Sequence, residues 1–422
     1  MLHPLLQEKS PSLNHQKLAD ILIQNENSLI IQDLDGVCMK LVKDPLNRTI
    51  DPNYVRATKA FAGQFYVLTN GEHIGKRGVN SIIERAFGDA DLVKQTSLYL
   101  PGLGAGGVQW QDRAGNVSHP GVTEKELAFL AEVPQRIKQE LEHFFQQQET
   151  PLSNLEIEQG IEASILDNIA SPTVNLNTFY EKLTSSPEIY SLLQNKMQHL
   201  METLLNEAES QGLGDSFFIH YAPNLGRDQE GKEILRPVAE NDSGTTDFQL
   251  MIRGAIKEAG VLAILNHYYY QRTGNYPLGD TFNVRNAPND YSQLYQLVTN
   301  HFDPDLMPII VGVGDTVNST VIEKNGKLEA KRGGSDRAFL QLIQDIHPHN
   351  IVVYIDSSGG EVKNRKPIRV ETTATGEQKI VELPTDARDT SDPLTLNVIF
   401  PRGYPEYTAF FCDMAAKRSE RI

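Results

Sequence analysis

The chain has 422 residues, of which 39% are hydrophobic and 22% charged, and this size predicts a globular protein of about two domains. Acidic residues number 55 against 39 basic ones, and the formal net charge of −16 argues against nucleic acid or an anionic membrane as the main partner. Two cysteines are too few for a disulfide framework. No apolar stretch approaches the length of a membrane span, and we expect a cytoplasmic protein.

Four short apolar runs predict buried parallel strands, each followed by a polar or glycine-rich turn. They are Leu29–Gln32, Phe65–Leu68, Pro308–Val311 and Ile351–Ile355. Helical patterns occur at Pro52–Gly63, Gly75–Phe87 and Ser335–Ile346. This alternation predicts an α/β fold with a doubly wound parallel sheet, whose polar strand ends collect at one edge.

The stretch between Thr69 and Lys257 is too long for a single crossover connection and predicts an inserted domain. It contains a hairpin-like segment at 108–119, helical patterns at Thr123–Gln148 and Leu176–Gln211, and a strand-like run at Ser216–Tyr221. We expect an α/β cap domain at residues 106–239, inserted between core segments 1–105 and 240–422. The polar run Glu361–Asp392 predicts a surface hairpin or a long loop.

Asp33 and Asp35 directly follow the first predicted strand and precede Gly36. Residues i and i+2 of a strand face the same side, so both carboxylates would face one pocket. Such a pair suits a nucleophile and an acid/base partner beside a divalent cation, as in phosphoryl transfer. A calcium loop is disfavoured because Val37 stands where a third oxygen ligand is needed. On its own the pair leaves a catalytic site and an ordinary turn equally open.

Two further segments could bind a phosphate group. Thr69 and Asn70 end the second predicted strand, where a hydroxyl and the following amides can hold phosphate oxygens. Lys257 opens an apolar-periodic helix, where its ammonium and the helix N-terminus both favour an anion. Taken singly, an ordinary turn and a solvated surface lysine remain the simpler interpretations.

A third carboxylate, that of Asp315, follows the strand-like run that contains Gly312 and Gly314, with Asn318 one turn further on. The two glycines are not followed by a third glycine and a ribose-binding acid at the dinucleotide spacing. We therefore reject a nicotinamide site. Asp315 is instead expected at the same sheet edge as Asp33.

Together and in this order, Asp33-Leu34-Asp35-Gly36, Thr69, Lys257 and Gly314-Asp315 resemble the four motifs of the haloacid dehalogenase superfamily of phosphotransferases. The resemblance covers about residues 28–105 and 240–360, and the insertion is similar to the type 2 cap of the sugar-phosphatase branch. It implies that Asp33 forms an aspartyl-phosphate and that Asp35 moves the proton. It also implies that Asp33, the Asp35 carbonyl and Asp315 bind Mg²⁺, while Thr69, the Asn70 amide and Lys257 hold the phosphate.

One position departs from the superfamily pattern. The last motif usually reads Gly-Asp-x-x-x-Asp, and Ser319 stands where the second acid is usual. We therefore expect the metal to be held with one carboxylate fewer, through water or through Asn318.

Longer segments resemble the cyanobacterial glucosylglycerol-phosphate phosphatase family over essentially the whole chain. They are Gln32–Met39, Tyr54–Thr58, Phe65–His73, Ala105–Arg113, His220–Asp228 and Asn241–Phe248. The resemblance implies hydrolysis of glucosylglycerol 3-phosphate to glucosylglycerol, a compatible solute made under salt stress. Residue spacing alone supports only a phosphomonoesterase. A sucrose- or trehalose-phosphate phosphatase, and a catalytically idle regulatory partner of the sugar-phosphate synthase, remain alternatives.

The sugar end of the substrate would be recognised by the cap or by groups that face it. Polar candidates are Glu72, His73, Lys76, Arg77, Asn224, Arg227, Asp242, Thr245, Thr246, Asp247 and Asn318. His73, Lys76 and Arg77 could equally form the solvated face of a helix, and Asp247 could cap a helix. The expected partners are a small sugar phosphate and the glucosylglycerol-phosphate synthase, with no nucleic acid and no membrane.

Overall fold

The computed structural model describes residues 11–43, 45–228, 230, 232–240, 242–324, 326–362 and 365–421. Its strands are β1 (Ser28–Gln32), β2 (Phe65–Leu68), β3 (Gly102–Gly104), β4 (Gln109–Gln111), β5 (Val117–Ser118), β6 (Ile165–Leu166), β7 (Thr173–Asn175), β8 (Phe217–Ala222), β9 (Asn224–Arg227), β10 (Glu233–Leu235), β11 (Asp247–Ile252), β12 (Ile309–Gly314), β13 (Asn318–Lys324), β14 (Lys327–Gly333), β15 (Ile351–Ile355), β16 (Arg369–Thr372), β17 (Gln378–Glu382) and β18 (Val398–Phe400).

Its α-helices are α1 (His15–Gln24), α2 (Pro52–Ala57), α3 (Val79–Phe87), α4 (Ala90–Gln95), α5 (Glu124–Gln147), α6 (Asn154–Ser164), α7 (Asn177–Lys182), α8 (Pro187–Ser210), α9 (Lys257–Thr273), α10 (Tyr291–His301), α11 (Arg337–Ile346) and α12 (Tyr404–Ser419). Among the helices of the described residues, none combines the length and the apolar character needed to cross a membrane.

The first of two compact units is built around an eight-stranded sheet. It comprises the chain up to His73, the segment Val79–Pro120 and the chain from Ala255 onward. The strand order is β18-β15-β12-β1-β2-β3-β4-β5. Neighbouring strands from β18 to β3 are parallel, and β4 and β5 add an antiparallel edge. This confirms the predicted α/β fold with a doubly wound parallel sheet.

Strand β1 lies in the middle of this sheet, and all five of its residues are buried. It pairs with β12 on one side and with β2 on the other, and both neighbours run parallel to it. The Asp33 amide continues the ladder by donating to the Val313 carbonyl oxygen at 2.9 Å. The carboxyl ends of β1 and β12 therefore meet, which brings the residues that follow them to one edge of the sheet.

Strand β12 is longer than expected, because the Gly312–Gly314 segment lies inside the strand and does not form a turn. A Cβ atom on Gly312 would lie 2.8 Å from Ile343 Cδ1, and one on Gly314 would lie 2.8 Å from the Asp336 Cβ. The two glycines thus allow α11 and the residue before it to approach the sheet closely.

The second unit comprises Ile74–Gly78 and Gly121–Gly254 and contains an antiparallel sheet of order β6-β7-β11-β8. In β11, Phe248, Leu250 and Ile252 are buried, while the alternating residues are half-buried. This alternation shows that one face of the sheet packs in the core of this unit. Helix α5 of the same unit begins with a capping box in which Thr123 and Glu126 exchange hydrogen bonds.

The unit boundaries differ from the expected cap limits of 106–239. Residues 106–120 belong to the first unit, because β4 and β5 extend its sheet beyond β3. Residues 240–254 belong to the second unit, because β11 pairs with β7 and β8. Strand pairing sets both limits: it is local for β4 and β5, whereas β11 pairs with strands that are distant in sequence.

Several predicted elements need correction. The segment Leu176–Gln211 forms two helices, α7 and α8, and Pro187 begins the second. The helix expected at Gly75–Phe87 begins only at Val79. The predicted surface hairpin within Glu361–Asp392 is confirmed as β16–β17. An unpredicted hairpin, β13–β14, lies between Asp315 and α11.

Candidate active site

Asp33 and Lys257 form a buried ion pair at the carboxyl edge of the first unit's sheet. Lys257 is the first residue of α9, and its Nζ lies 3.1 Å from Asp33 Oδ2. Both side chains are less than 10% exposed. Burial alone would lower the pKa of Lys257, but Asp33 and Asp336 raise it above its ordinary value. The two carboxylates therefore favour the positively charged form of Lys257.

Asp336 is a site residue that the sequence reasoning missed. Its Oδ1 accepts a hydrogen bond from Lys257 Nζ at 2.7 Å, and its side chain has no exposed surface. Its Oδ2 accepts the backbone N–H groups of Asp315 at 2.9 Å and Thr316 at 3.0 Å. Asp336 thus fixes both the lysine and the loop that carries Asp315.

A third carboxylate, which the sequence analysis did not place in the site, joins Asp33 and Asp315. Carboxylate oxygens of Asp33, Asp315 and Asp336 lie within 4.8 Å of one another. Ser319 instead lies in the β13–β14 hairpin, where its Oγ accepts the Asp386 amide at 2.9 Å, and Asn318 is exposed. The hairpin separates Asp336 from Asp315 along the chain. An acid at the start of the predicted helix Ser335–Ile346, directly after Gly333-Gly334, was the signal that could have located it.

Two carboxylate oxygens in this cluster have the environment of cation ligands. Among the described residues, Asp33 Oδ1 and Asp315 Oδ2 are buried and have no hydrogen-bond partner. Burial and the neighbouring acid Asp336 raise the pKa of both carboxyl groups, although Lys257 opposes the shift at Asp33. Buried carboxylate oxygens without donors suit a hard divalent cation such as Mg²⁺.

Gly36 allows this arrangement because it has no side chain. Its φ of +79° favours glycine, and a Cβ atom would lie 2.2 Å from Asp315 Oδ2. Any side chain at position 36 would therefore occupy the space that the Asp315 carboxylate fills.

The turn after β2 lies beside Asp35. Thr69 is buried, and its Oγ1 accepts the Gly71 amide at 3.2 Å, whereas the Asn70 side chain is exposed. A Cβ atom on Gly71 would lie 3.6 Å from Thr69 Oγ1 and 4.0 Å from Asp35 Oδ2. The structure thus brings Asp35 and this turn together, in the same unit as Asp33, Lys257 and Asp315. Arg48, which the sequence reasoning did not single out, pairs with Asp35.

Two candidate sugar contacts in the first unit are buried beside β4. Glu72 accepts a hydrogen bond from Gln109 Nε2 at 3.5 Å. His73 has no exposed surface, and its Nε2 lies 3.2 Å from the Gly102 carbonyl oxygen. Burial lowers the pKa of His73 to about 4, so the ring is neutral near pH 7. Neither residue lies on a helix, so the alternative of a solvated helix face was wrong for His73.

In the second unit, Lys76 and Arg77 precede α3 and do not form a helical face either. Lys76 is exposed and lies 3.4 Å from Glu162. Arg77 is buried, with Nη1 donating to the Ile165 carbonyl oxygen at 2.8 Å and lying 3.5 Å from Asp167. Arg77 therefore connects the Ile74–Gly78 segment to the residues that follow α6.

The remaining candidates of the second unit also have intramolecular partners. Asn224 donates to Glu233, Asp242 pairs with Arg236, Thr245 donates to the Pro223 carbonyl oxygen, and Thr246 donates to Asp247. Asp247 begins β11 and does not cap a helix; it accepts a hydrogen bond from Asn175 at 2.8 Å. Burial raises its pKa. Arg227 ends β9, and its side chain lies outside the described part of the chain.

The chain is similar to known proteins along nearly its whole length. The family model for glucosylglycerol-phosphate phosphatase matches residues 27–415. A glucosylglycerol-phosphate phosphatase of Synechocystis sp. is 57% identical over 418 residues, which cover 98% of each chain.

Two solved structures of trehalose-6-phosphate phosphatases also align. The Aspergillus fumigatus protein has 9% identity and a TM-score of 0.39, covering 96% of this chain and 99% of its own. The C-terminal domain of the Candida albicans protein has 9% identity and a TM-score of 0.44, covering 96% and 98%. The match to the family model and the full-length relative confirm the resemblance found in the sequence. The chain belongs to the glucosylglycerol-phosphate phosphatase family.

Proposed function

We propose that this protein hydrolyses glucosylglycerol 3-phosphate to glucosylglycerol and phosphate. The proposal is supported by the 57% identical glucosylglycerol-phosphate phosphatase, which matches over the full length of the chain. The observation that carries the chemistry is the buried Asp33–Lys257 pair, at 3.1 Å, within a cluster of three carboxylates. Phosphate-monoester hydrolysis is very slow without a catalyst, and such an arrangement supplies the positioning and charge that it needs.

Asp33 is the proposed nucleophile. Its carboxylate oxygen attacks phosphorus, a bond from oxygen to phosphorus forms, and the bond to the glycerol oxygen breaks. A water molecule then attacks the aspartyl-phosphate, which releases phosphate and regenerates Asp33. Lys257 offsets the repulsion between Asp33 and the incoming phosphate dianion.

Asp35 is the proposed acid and base. It protonates the departing glycerol oxygen in the first step and accepts a proton from the attacking water in the second. Thr69 Oγ1 and the Asn70 amide, in the turn beside it, would donate hydrogen bonds to the phosphate oxygens.

Asp33 Oδ1, Asp315 Oδ2 and the Asp35 main-chain carbonyl are the proposed ligands for Mg²⁺. Both carboxylate oxygens lack a donor among the described residues, as a cation ligand requires. When bound, the cation would neutralise the charge of the phosphate group and polarise it. Asp336 already uses both of its oxygens, so its proposed role is to hold Lys257 and the Asp315 loop.

Phosphate release from a panel of sugar phosphates tests the function. We expect the full chain with Mg²⁺ to prefer glucosylglycerol 3-phosphate over sucrose 6-phosphate and trehalose 6-phosphate, and a chelator to abolish the reaction. A preference for either disaccharide phosphate would overturn the substrate, and no release from any of them would support an idle regulatory protein. Association with the glucosylglycerol-phosphate synthase stays a prediction, to be tested by co-purification of the two proteins.

A further inference from the structure

Arg48 contacts the proposed acid and base directly. Its Nε lies 2.8 Å from Asp35 Oδ1, and both side chains are only about one-fifth exposed. An ion pair of this length at a partly buried site restricts both side chains. Neither the four motifs nor their spacing draws attention to Arg48, because it lies in the connection between β1 and α2.

The backbone around Arg48 is anchored on both sides. A short 3₁₀ turn at Pro45–Asn47 precedes it, and its amide donates to the Pro45 carbonyl oxygen at 3.3 Å. Ile50 is buried in the core that lies under β1, and Asp51 caps α2 by accepting the Asn53 amide at 2.8 Å. The guanidinium is thus presented to Asp35 from a fixed segment.

The two oxygens of Asp35 face different groups. Oδ1 is held by Arg48, while Oδ2 is the oxygen nearest the position that a Gly71 side chain would occupy, on the same side as Thr69 Oγ1. Thr69 and the amides after it form the proposed phosphate site. The ion pair therefore engages Oδ1, while Oδ2 is the Asp35 oxygen nearer to Gly71 in the proposed phosphate-binding turn.

We propose that Arg48 is a positioning residue that holds the Asp35 carboxyl group in the orientation for proton transfer. The inference rests on the proposed function, since it assigns Arg48 a part in that reaction. An aspartate without this contact can rotate among several side-chain conformers, and small displacements of a catalytic group lower the rate strongly. The two carboxylates after β1 then have separate cationic partners, Lys257 for Asp33 and Arg48 for Asp35.

The leaving group distinguishes positioning from general damage. Glycerol is a poor leaving group that needs a proton, whereas 4-nitrophenolate leaves without one. Asp35 is also the proposed base in the second step, which both substrates share, so the informative quantity is the rate of leaving-group release in a single turnover. We expect Arg48→Ala to lower this rate by about 100-fold for glucosylglycerol 3-phosphate and by less than about 3-fold for 4-nitrophenyl phosphate. We expect Arg48→Lys to keep more of the activity, and added guanidinium ion to restore part of it in Arg48→Ala.

Arg136→Ala is the matched control, because it removes another 2.8 Å ion pair, to Glu207 in the second unit, and should leave both rates unchanged. Equal losses in the single-turnover rate of leaving-group release from the two substrates, or a change confined to KM, would overturn the positioning role. If the thermal transition shows that Arg48→Ala does not fold, the same two rates are measured in Arg48→Lys. A larger loss for glucosylglycerol 3-phosphate than for 4-nitrophenyl phosphate then supports the positioning role, and equal losses overturn it. Wild-type protein that does not hydrolyse the sugar phosphate would instead overturn the proposed function.

Discussion

Lys257 contacts two buried carboxylates, and Asp336 balances its charge while also accepting two backbone amides. Burial would raise the pKa of Asp336, but Lys257 and these hydrogen bonds lower it below its ordinary value. Asp336 is therefore an anion, and in the proposed mechanism it would keep Lys257 in place while Asp33 carries the phosphoryl group.

Removing the Asp336 carboxylate should damage both stability and activity. We expect Asp336→Ala to lower the free energy of unfolding by about 3 kcal/mol, because Lys257 and two amides lose a buried partner. We also expect kcat to fall by about 100-fold or more. Urea denaturation and phosphate release measure the two effects. Asp413→Ala removes an exposed ion pair to Lys417 and should change stability by less than about 0.5 kcal/mol; an equally small effect at Asp336 would contradict its role.

Which residues of the site could be predicted depends on whether their signals are local. Asp33 and Asp35 were found because a strand and two carboxylates are adjacent in sequence, and Lys257 because it opens a helix. Asp336 was missed because a hairpin separates it from Asp315, so the usual spacing of the motif is lost. Arg48 was missed because nothing in its neighbourhood predicts which carboxylate it pairs with.

Strand β12 and helix α11 pack closely because the strand carries glycine where neighbouring strands carry larger residues. Gly312 faces Leu340 and Ile343, and a Cβ atom there would lie 2.9 Å and 2.8 Å from their side chains. The same helix begins directly after Asp336, so its distance from the sheet also sets the position of that carboxylate.

Gly312→Ala should therefore destabilise the protein. We expect the free energy of unfolding to fall by about 1–3 kcal/mol, because an added methyl group overpacks a buried contact. Gly359→Ala is the control, since a Cβ atom there meets open space, and its stability should match the wild type. Denaturant titration measures both variants, and equal stability of the two would contradict the packing account.

The buried strands could be predicted because apolar runs between polar turns are strong patterns. For β15 the predicted bounds, Ile351–Ile355, are the same as those in the structure. The β13–β14 hairpin could not, because its strands are mostly exposed and rich in lysine and glutamate, with weak alternation. The limits of the second unit also depend on pairings such as β7 with β11, which no local pattern reveals.

The protein as a whole carries a net charge of −16, and it buries three of its carboxylates together in one cluster. Burial raises the pKa of Asp33 to about 7. Because this value lies above that of the unfolded chain, the stability supplied by the protonated carboxyl group is lost as pH rises from about 4 to about 7. A bound cation would reverse that loss.

Mg²⁺ should therefore stabilise the full chain more strongly at about pH 8 than at about pH 5, where protons compete for the same carboxylates. Thermal denaturation with and without the ion at each pH measures the difference. We expect Asp33→Asn, which removes one proposed ligand and its titration, to lose most of the increase. A thermal shift that does not depend on pH, or that Asp33→Asn retains in full, would argue against this cation site.

Trapping of the covalent intermediate tests the central claim, that Asp33 is the nucleophile of a sugar-phosphate phosphatase. The protein is mixed with glucosylglycerol 3-phosphate and Mg²⁺, quenched during turnover and reduced with borohydride, which converts an aspartyl-phosphate to homoserine. Peptide mass spectrometry then locates the modified residue. We predict homoserine at position 33 in the wild-type protein and at no position in Asp33→Asn. Modification of Asp35, Asp315 or Asp336 instead, or turnover with Asp33 unmodified, would contradict the account.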